Sequence, residues 1–435
     1  PSGGPVAAGR DVPDMTPSAL AVAKALEALP EVCPGVRTWV VAYSGGRDST
    51  ALLHATRAFA AQRGDAVRAV HVNHGLQPAA RDFEQHCAAV CREWEIPLER
   101  MQREADPTPG LGPEAQAREI RYQALRRHAR RGVAILLAHH RDDQAETLLL
   151  QLLRGAGVAG TAAMPLCRDW GEGKLVRPLL DVSRQEIEDY VRGHRLTFME
   201  DPSNFDTGIE RNFLRREVLP LLEERWPSAS QTLARSTRHH AHAARLLQER
   251  AEQDLGDADT IEVEFLASLS QDRQINLVRF WIARQGFPVP SERRLSRWLD
   301  TVHAAGADRV PADIFETYRM YRWRGHLHLV PRLPVVPEGQ CWHWRRGEAL
   351  VLPELDLELR WESLQAQLGE EVETDLEVRL RTGGERCRPE GRQHRHSLKK
   401  LLQEAGVPPW RRGRIPLVYQ HANLRLVWDH FACRP

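Results

Sequence analysis

Residues 38–52 read TWVVAYSGGRDSTAL. The apolar, β-branched run Trp39–Tyr43 predicts a buried strand. It stops at Ser44-Gly45-Gly46, and Asp48, Ser49 and Thr50 follow before Ala51, Leu52 and Leu53 open a helical pattern. Two glycines mark a tight strand-to-helix turn whose backbone amides are open to approach.

Outward from this turn, strand-like and helix-like segments alternate from Val36 to about Leu196. The strands are expected at Trp39–Tyr43, Val67–Val72, Pro97–Met101, Val133–Ala138 and Leu175–Pro178. Each is almost continuously apolar, as in a parallel sheet covered on both faces. Helices are expected at Ser49–Gln62, Ala80–Trp94, Pro113–Arg131, Asp142–Arg154 and Arg184–His194, the last opening on a capping box, Ser183 to Glu186. This order predicts an α/β fold with a doubly wound, mostly parallel sheet. Past Pro220 the texture turns helical and charged, and a Pro-rich segment near 330–340 precedes a small α+β block. The expected division is a flexible tail over 1–30, a catalytic α/β domain over 31–220, a helical domain over 221–335 and a C-terminal domain over 341–435.

The chain has 435 residues, 42% of them hydrophobic, enough for two or three cores. A formal net charge of +1 gives no global sign of nucleic-acid binding, so any basic surface must be local. One local concentration exists: eight Lys or Arg against three acids between Leu376 and Lys400, with Trp410, Arg411 and Arg412 nearby. No apolar run reaches the ~20 residues of a membrane-spanning helix. The seven cysteines are scattered and odd in number, and are expected as free thiols in a reducing cytoplasm.

In an open α/β sheet, ligands sit beyond the carboxyl ends of the strands. There Ser44, Gly45, Gly46, Arg47, Asp48 and Ser49 form a candidate phosphate cradle on a helix N-terminus. The spacing is neither G-x-x-x-x-G-K-[ST] nor G-x-G-x-x-G. A carboxylate beside a phosphate is repulsive unless a divalent cation lies between them, which makes Asp48 a candidate Mg²⁺ ligand. Read alone, the same residues also describe a capped βα turn. The second strand ends in VRAVHVNHGLQ, which brings Asn73 and His74 to the same sheet edge. The fourth ends in AILLAHHRDDQAETLLLQLLRG, with His139 and His140 closing the strand and Asp142, Asp143 and Glu146 opening the next helix. Asp143 and Glu146 share a helix face and form a candidate grip for an ammonium group. Arg118 and Arg121 also share a face and are candidates for neutralising phosphate charge.

The stretch SGGRDS is similar to the loop of the PP-loop ATP pyrophosphatases. Together with VHVNHGL, EAQAREIRY, AHHRDDQAETLLLQLLRG, RPLLDVSRQEIEDY, EDPSNFDTGIERNFLRREVLPLL and the tail LRTGGERCRP through LKKLLQEAGVPPWRRGRIPLVY, it resembles the tRNA(Ile)-lysidine synthetases. Residues 225–375 match only in general character.

That resemblance implies a ligase that uses ATP with Mg²⁺ and holds no permanent cofactor. ATP adenylylates the C2 oxygen of the wobble cytidine in the CAU anticodon of tRNA(Ile), and the ε-amino group of free L-lysine displaces AMP. It implies ATP binding by Ser44–Ser49, Asn73 and His74, with Mg²⁺ on Asp48. It further implies catalytic roles for Asp48, Asp143, Glu146 and Arg118. Lysine falls to Asp143, Glu146 and His140, and tRNA to Arg211, Asn212, Arg215, Arg388, Lys399 and Lys400. A cytoplasmic protein without a membrane partner is expected. Two rivals stand beside this reading. One is tRNA thiolation, for which Cys87 and Cys91, one helical turn apart, would carry sulfur. The other is a tRNA-binding protein without catalysis.

Overall fold

The computed structural model describes residues 17–73, 80–102, 113–305, 312–336, 339–369, 372 and 375–434. The chain forms two compact units that meet in sequence at Leu247 and Gln248.

The first unit is built on strands β1 (Thr38–Ala42), β2 (Ala66–Asn73), β3 (Leu98–Gln102), β4 (Val133–Leu136), β5 (Cys167–Trp170) and β6 (Gly173–Val176). Their order in the sheet is β3-β2-β1-β4-β6-β5. All neighbours are parallel except β5, which returns antiparallel along β6. The order reverses between β1 and β4, so the loops leaving these two strands flank the crevice where such sheets take ligands. Alternate side chains of β1 serve the two faces. Trp39 and Val41 enter one core, while Val40 joins Val70, Ile135 and Leu175 in the other.

The first eight helices of this unit, in chain order, are α1 (Pro17–Glu27), α2 (Leu29–Val32), α3 (Arg47–Arg63), α4 (Ala80–Glu93), α5 (Pro113–Arg126), α6 (Arg141–Leu153), α7 (Val158–Thr161) and α8 (Arg184–Gly193). The capping box of α8 forms as expected: Glu186 N donates to Ser183 Oγ, and Ser183 N donates to Glu186 Oε2 at 2.7 Å. A further helical run begins at Glu210 and passes through a π-helical turn, Leu214–Val218, before ending at Arg225.

Two expectations need correction. Residues 17–27, placed in a flexible tail, form α1, which packs against α3 and α8 with Val22 and Leu26 fully buried. Burying each such side chain stabilises by about 1.5–3 kcal/mol, which outweighs the Pro- and Gly-rich composition upstream. The expectation of seven free thiols also fails. Cys387 and Cys433 are disulfide-bonded, with Cα atoms 5.5 Å apart. Antiparallel pairing of Arg386–Pro389 with Phe431–Arg434 brings them side by side across 46 residues of sequence.

The second unit contains a small sheet with helices around Trp281, Trp298 and Tyr318, and a larger antiparallel sheet around Trp344, Val378 and Val418. A helix runs over Leu398–Glu404. Among the described residues, no helix is long and apolar enough to cross a membrane.

Candidate active site

The turn after β1 is ordered by its own residues. Gly45 has φ +84°, and a Cβ there would lie 2.9 Å from Cys87 Sγ, so both backbone and packing demand glycine. Ser44 and Ser49 join through their hydroxyls at 3.0 Å, and Gly46 N donates to Ser44 Oγ. Thr50 Oγ1 donates to Gly46 O at 2.9 Å. Met199 N donates to Gly45 O, tying the turn to the segment after α8. No side chain caps the N-terminus of α3, which leaves its first amides for an anion. Cys87, directly under this turn, and Cys91 are buried, and burial pushes their thiols up to about 12 and about 11. Such thiols are poor sulfur nucleophiles.

Asp48 projects from the first turn of α3 with its side chain 32% exposed. Oδ1 accepts from Arg47 Nε at 3.0 Å, and Oδ2 lies 3.7 Å from His140 Nε2. Among the described residues, no group of three or more His, Cys, Asp or Glu is placed to hold a metal by itself. The partly exposed Asp48 carboxylate, beside the uncapped amides of the turn, would suit Mg²⁺, a hard cation that takes oxygen donors.

The loop after β4 brings the second group of residues. His140 is the N-cap of α6, and its backbone N donates to Asp143 Oδ2 at 2.9 Å. Its buried imidazole faces three carboxylates: Asp48 at 3.7 Å, Asp142 at 3.6 Å and Asp143 at 3.6 Å. Burial opposes the imidazolium, yet Asp143, Asp142 and Asp48 together push its pKa up to about 9. His139 differs. Burial takes it down to about 3 against the pull of Asp143, and its Nδ1 is buried without a hydrogen-bond partner.

Asp143 and Glu146 lie on one face of α6, as their spacing requires. Both are closed over by arginines of the helical run that begins at Glu210. Arg215 donates to Glu146 Oε1 at 2.6 Å, to Glu146 Oε2 at 3.0 Å and to Asp143 Oδ1 at 3.0 Å. Arg211 Nε stands 3.2 Å from Glu146 Oε2, and its Nη2 donates to Thr147. The π-helical turn that carries Arg215 is a form frequent at functional sites. Burial opposes ionisation of Asp143, but His140, His139, Arg215 and Arg211 hold it well below the usual carboxylate range. Burial pushes the Glu146 carboxyl up, with Arg215 pulling it back.

The remaining expected site residues divide. Arg118 is exposed on α5, its guanidinium against Tyr122 and within electrostatic reach of His139 and Arg177. Asn73 donates to Glu84 at 3.2 Å. His74 lies outside the described residues. Asn212 is buried and donates to Asp206 O, so it braces the preceding loop. In the second unit, Lys399 and Lys400 are exposed on Leu398–Glu404, and Arg388 lies on the strand Arg386–Pro389. Trp410 packs against Tyr321, His328 and Trp323, with ring centroids 4.8, 5.1 and 5.7 Å away. The charged residues that sequence reasoning left without a role are Glu188, which pairs with Arg47, and Arg177. Glu188 has a local partner in Arg184, but its contact with Arg47 spans 141 residues and carries no local signal.

Family models match three stretches: a PP-loop domain over residues 19–222, a TilS substrate binding domain over 262–328 and a TilS substrate C-terminal domain over 376–434. The tRNA(Ile)-lysidine synthase of Coxiella burnetii is 38% identical over 402 residues, covering 90% of this chain and 89% of that one. The chain belongs to the tRNA(Ile)-lysidine synthase family. Further members of the tRNA(Ile)-lysidine synthase family, from Pseudomonas aeruginosa and Methylococcus capsulatus, are 41% and 40% identical, covering 89% and 88% of this chain and 89% of each relative. A solved structure of the U34-tRNA thiolase NcsA from Methanococcus maripaludis aligns with a TM-score of 0.43 at 17% identity, over 52% of this chain and 80% of that one.

Proposed function

We propose that this chain ligates L-lysine to C2 of the wobble cytidine in the CAU anticodon of tRNA(Ile), releasing AMP and pyrophosphate and forming lysidine. One observation carries the reading. The buried His140 lies 3.7 Å from Asp48 and 3.6 Å from Asp143, so a single side chain joins the phosphate cradle to the acid pair. Nucleotide and amine therefore belong to one site.

In the first step the cytosine O2 attacks the α-phosphorus of ATP and pyrophosphate leaves. The amides of Ser44–Ser49 and the N-terminus of α3 receive the phosphates, and Arg118 adds positive charge. Asp48 would hold Mg²⁺, which would supply charge neutralisation there. Asn73, at the end of β2, and His74 receive the adenine. In the second step the ε-nitrogen of lysine attacks C2 and the C2–O bond to AMP breaks. The ammonium must first lose a proton, since its reference pKa is about 10.4. Asp143, held ionised, grips the ammonium, while the charged His140 imidazole, which would itself repel the amine, holds the Asp143 carboxylate in place. Glu146, with its carboxyl pushed up by burial, accepts the proton. Arg211 and Arg215 pair with these acids, so lysine binding requires them to yield and turn toward RNA phosphate.

The basic face with Arg388, Lys399 and Lys400 docks the tRNA body. The working division is a catalytic domain over 31–220, a substrate-binding domain over 221–335 and a docking domain over 341–435, acting in the cytoplasm, where tRNA is modified. The thiolation rival needs an accessible sulfur carrier, and Cys87 and Cys91 are buried. Incubation with ATP, radiolabelled lysine and unmodified transcripts tests the proposal. Label enters tRNA(Ile) with a CAU anticodon, and AMP appears only when lysine and that tRNA are both present. Equal labelling of the methionine tRNA, or no labelling, refutes it. Lysidine formation that survives Cys87→Ser/Cys91→Ser excludes the thiolation chemistry.

A further inference from the structure

The side chain of Arg47, at the third position of the Gly-Gly-x-Asp turn, has no part in the steps above, yet it is the most enclosed member of a three-residue ion pair. Its Nε donates to Asp48 Oδ1 at 3.0 Å, and its Nη1 pairs with Glu188 of α8. The Arg47 side chain is 19% exposed, against 32% for Asp48 and 30% for Glu188. Glu188 is also held by Arg184 Nε at 3.2 Å. The guanidinium thus occupies the carboxylate that the proposed function gives to Mg²⁺. It also has a second acid on which to rest when Asp48 turns away.

We propose that Arg47 guards Asp48, making metal binding there conditional on nucleotide. A cation against the carboxylate repels a free divalent ion and competes for the same oxygen. The negative charge of a triphosphate in the Ser44–Ser49 cradle offsets both cations, so Asp48 can turn to the metal while Arg47 keeps Glu188. The fork of the guanidinium is needed for this, because a lysine ammonium is a point charge. The device ties metal and nucleotide into one binding event, and coupling of this kind is reciprocal. It rests on the reading of Asp48 as the metal ligand.

The test uses the full chain and Mn²⁺ as the probe, titrated by its electron paramagnetic resonance signal with and without a non-hydrolysable ATP analogue. Without nucleotide, Arg47→Leu binds Mn²⁺ about tenfold more tightly than the wild type, as expected from removing one like charge a few ångströms away. The gain in Mn²⁺ affinity conferred by the analogue shrinks by a similar factor. Glu188→Gln moves the other way: Arg47 then rests on Asp48 alone, and Mn²⁺ binding without nucleotide weakens about threefold. A mere structural brace would shift both variants in the same direction. That result, or no shift in either, overturns the proposal. If Arg47→Leu does not fold, Arg47→Gln, closer in size, must give the same tightening. Asp48→Asn separates the two layers. Mn²⁺ binding unchanged by that substitution refutes Asp48 as the ligand. Binding lost in Asp48→Asn, without opposed shifts in the other variants, refutes the guard alone.

Discussion

The turn at Ser44–Ser49 and the acid pair on α6 lie at the ends of adjacent parallel strands, yet they are held together in different ways. The turn is ordered mainly by partners within five residues, Ser44 with Ser49, Gly46 with Ser44 and Thr50 with Gly46, and Met199 N and Glu188 add long-range ties to Gly45 O and Arg47. The acid pair is closed by Arg211 and by Arg215, the latter 69 and 72 residues from Glu146 and Asp143 in sequence. A phosphate cradle needs backbone amides, which a short motif can order by itself. A buried carboxylate pair needs compensating cations, because an unpaired buried charge is strongly destabilising. Those cations come from wherever the fold delivers them.

Asp143→Asn should have the largest effect, because it strikes only the long-range side of this contrast. The catalytic efficiency for lysine should fall at least about 100-fold, as expected for loss of a charge-assisted grip. Adenylylation of tRNA, followed as tRNA-dependent pyrophosphate exchange, should fall less than about tenfold. Equal losses in both assays would erase the distinction between the two regions.

Gly45→Ala strikes the local side. The left-handed φ and the contact with Cys87 Sγ at 2.9 Å together predict a loss of nucleotide affinity of about 10- to 100-fold. Adding Cys87→Ala relieves the contact but not the backbone strain, so recovery should be partial. Full recovery would place the requirement in packing alone, and isothermal titration with an ATP analogue reads either outcome.

Lys399→Glu/Lys400→Glu tests whether a third region works apart from both. Affinity for tRNA should fall about tenfold and the salt slope should drop by about 2, with the KM values for ATP and lysine unmoved. An unchanged salt slope would make that face merely solvated.

The smallest effect is a titration. In the free protein, the His140 imidazole should titrate near 9 by NMR. Because its pKa is raised from 6.5 on folding, its stabilising contribution is complete below about pH 6.5 and is lost as pH rises through about 9. Asp142→Asn should lower that midpoint. A midpoint near 6.5 in the unaltered chain would break the link between the loop and the acids.

Much of the first unit was legible in the sequence because its signals are local. Apolar runs marked all five parallel strands, β1, β2, β3, β4 and β6, and Ser183 and Glu186 marked the start of α8. The strand β5 went unread because Cys167–Trp170 has little apolar character, and its place is set by pairing with β6. Helix α1 was hidden by its neighbours' composition. Trp410 reads as part of a basic RNA-facing segment, but its ring packs against Tyr321 and His328. Arg211 and Arg215 were legible as functional arginines, while their engagement with Asp143 and Glu146 was not.

By itself, the sequence determined the βα alternation, the glycine turn and the spacing that sets Asp143 and Glu146 on one helix face. Each follows from backbone sterics and periodicity over a few residues. Only the tertiary structure decided that His140 bridges Asp48 and Asp143, that Arg215 neutralises the acids, and that Cys387 meets Cys433. Charge pairing and covalent approach depend on distances of a few ångströms between residues far apart in the chain. Those distances exist only after the sheet order and helix packing have been chosen.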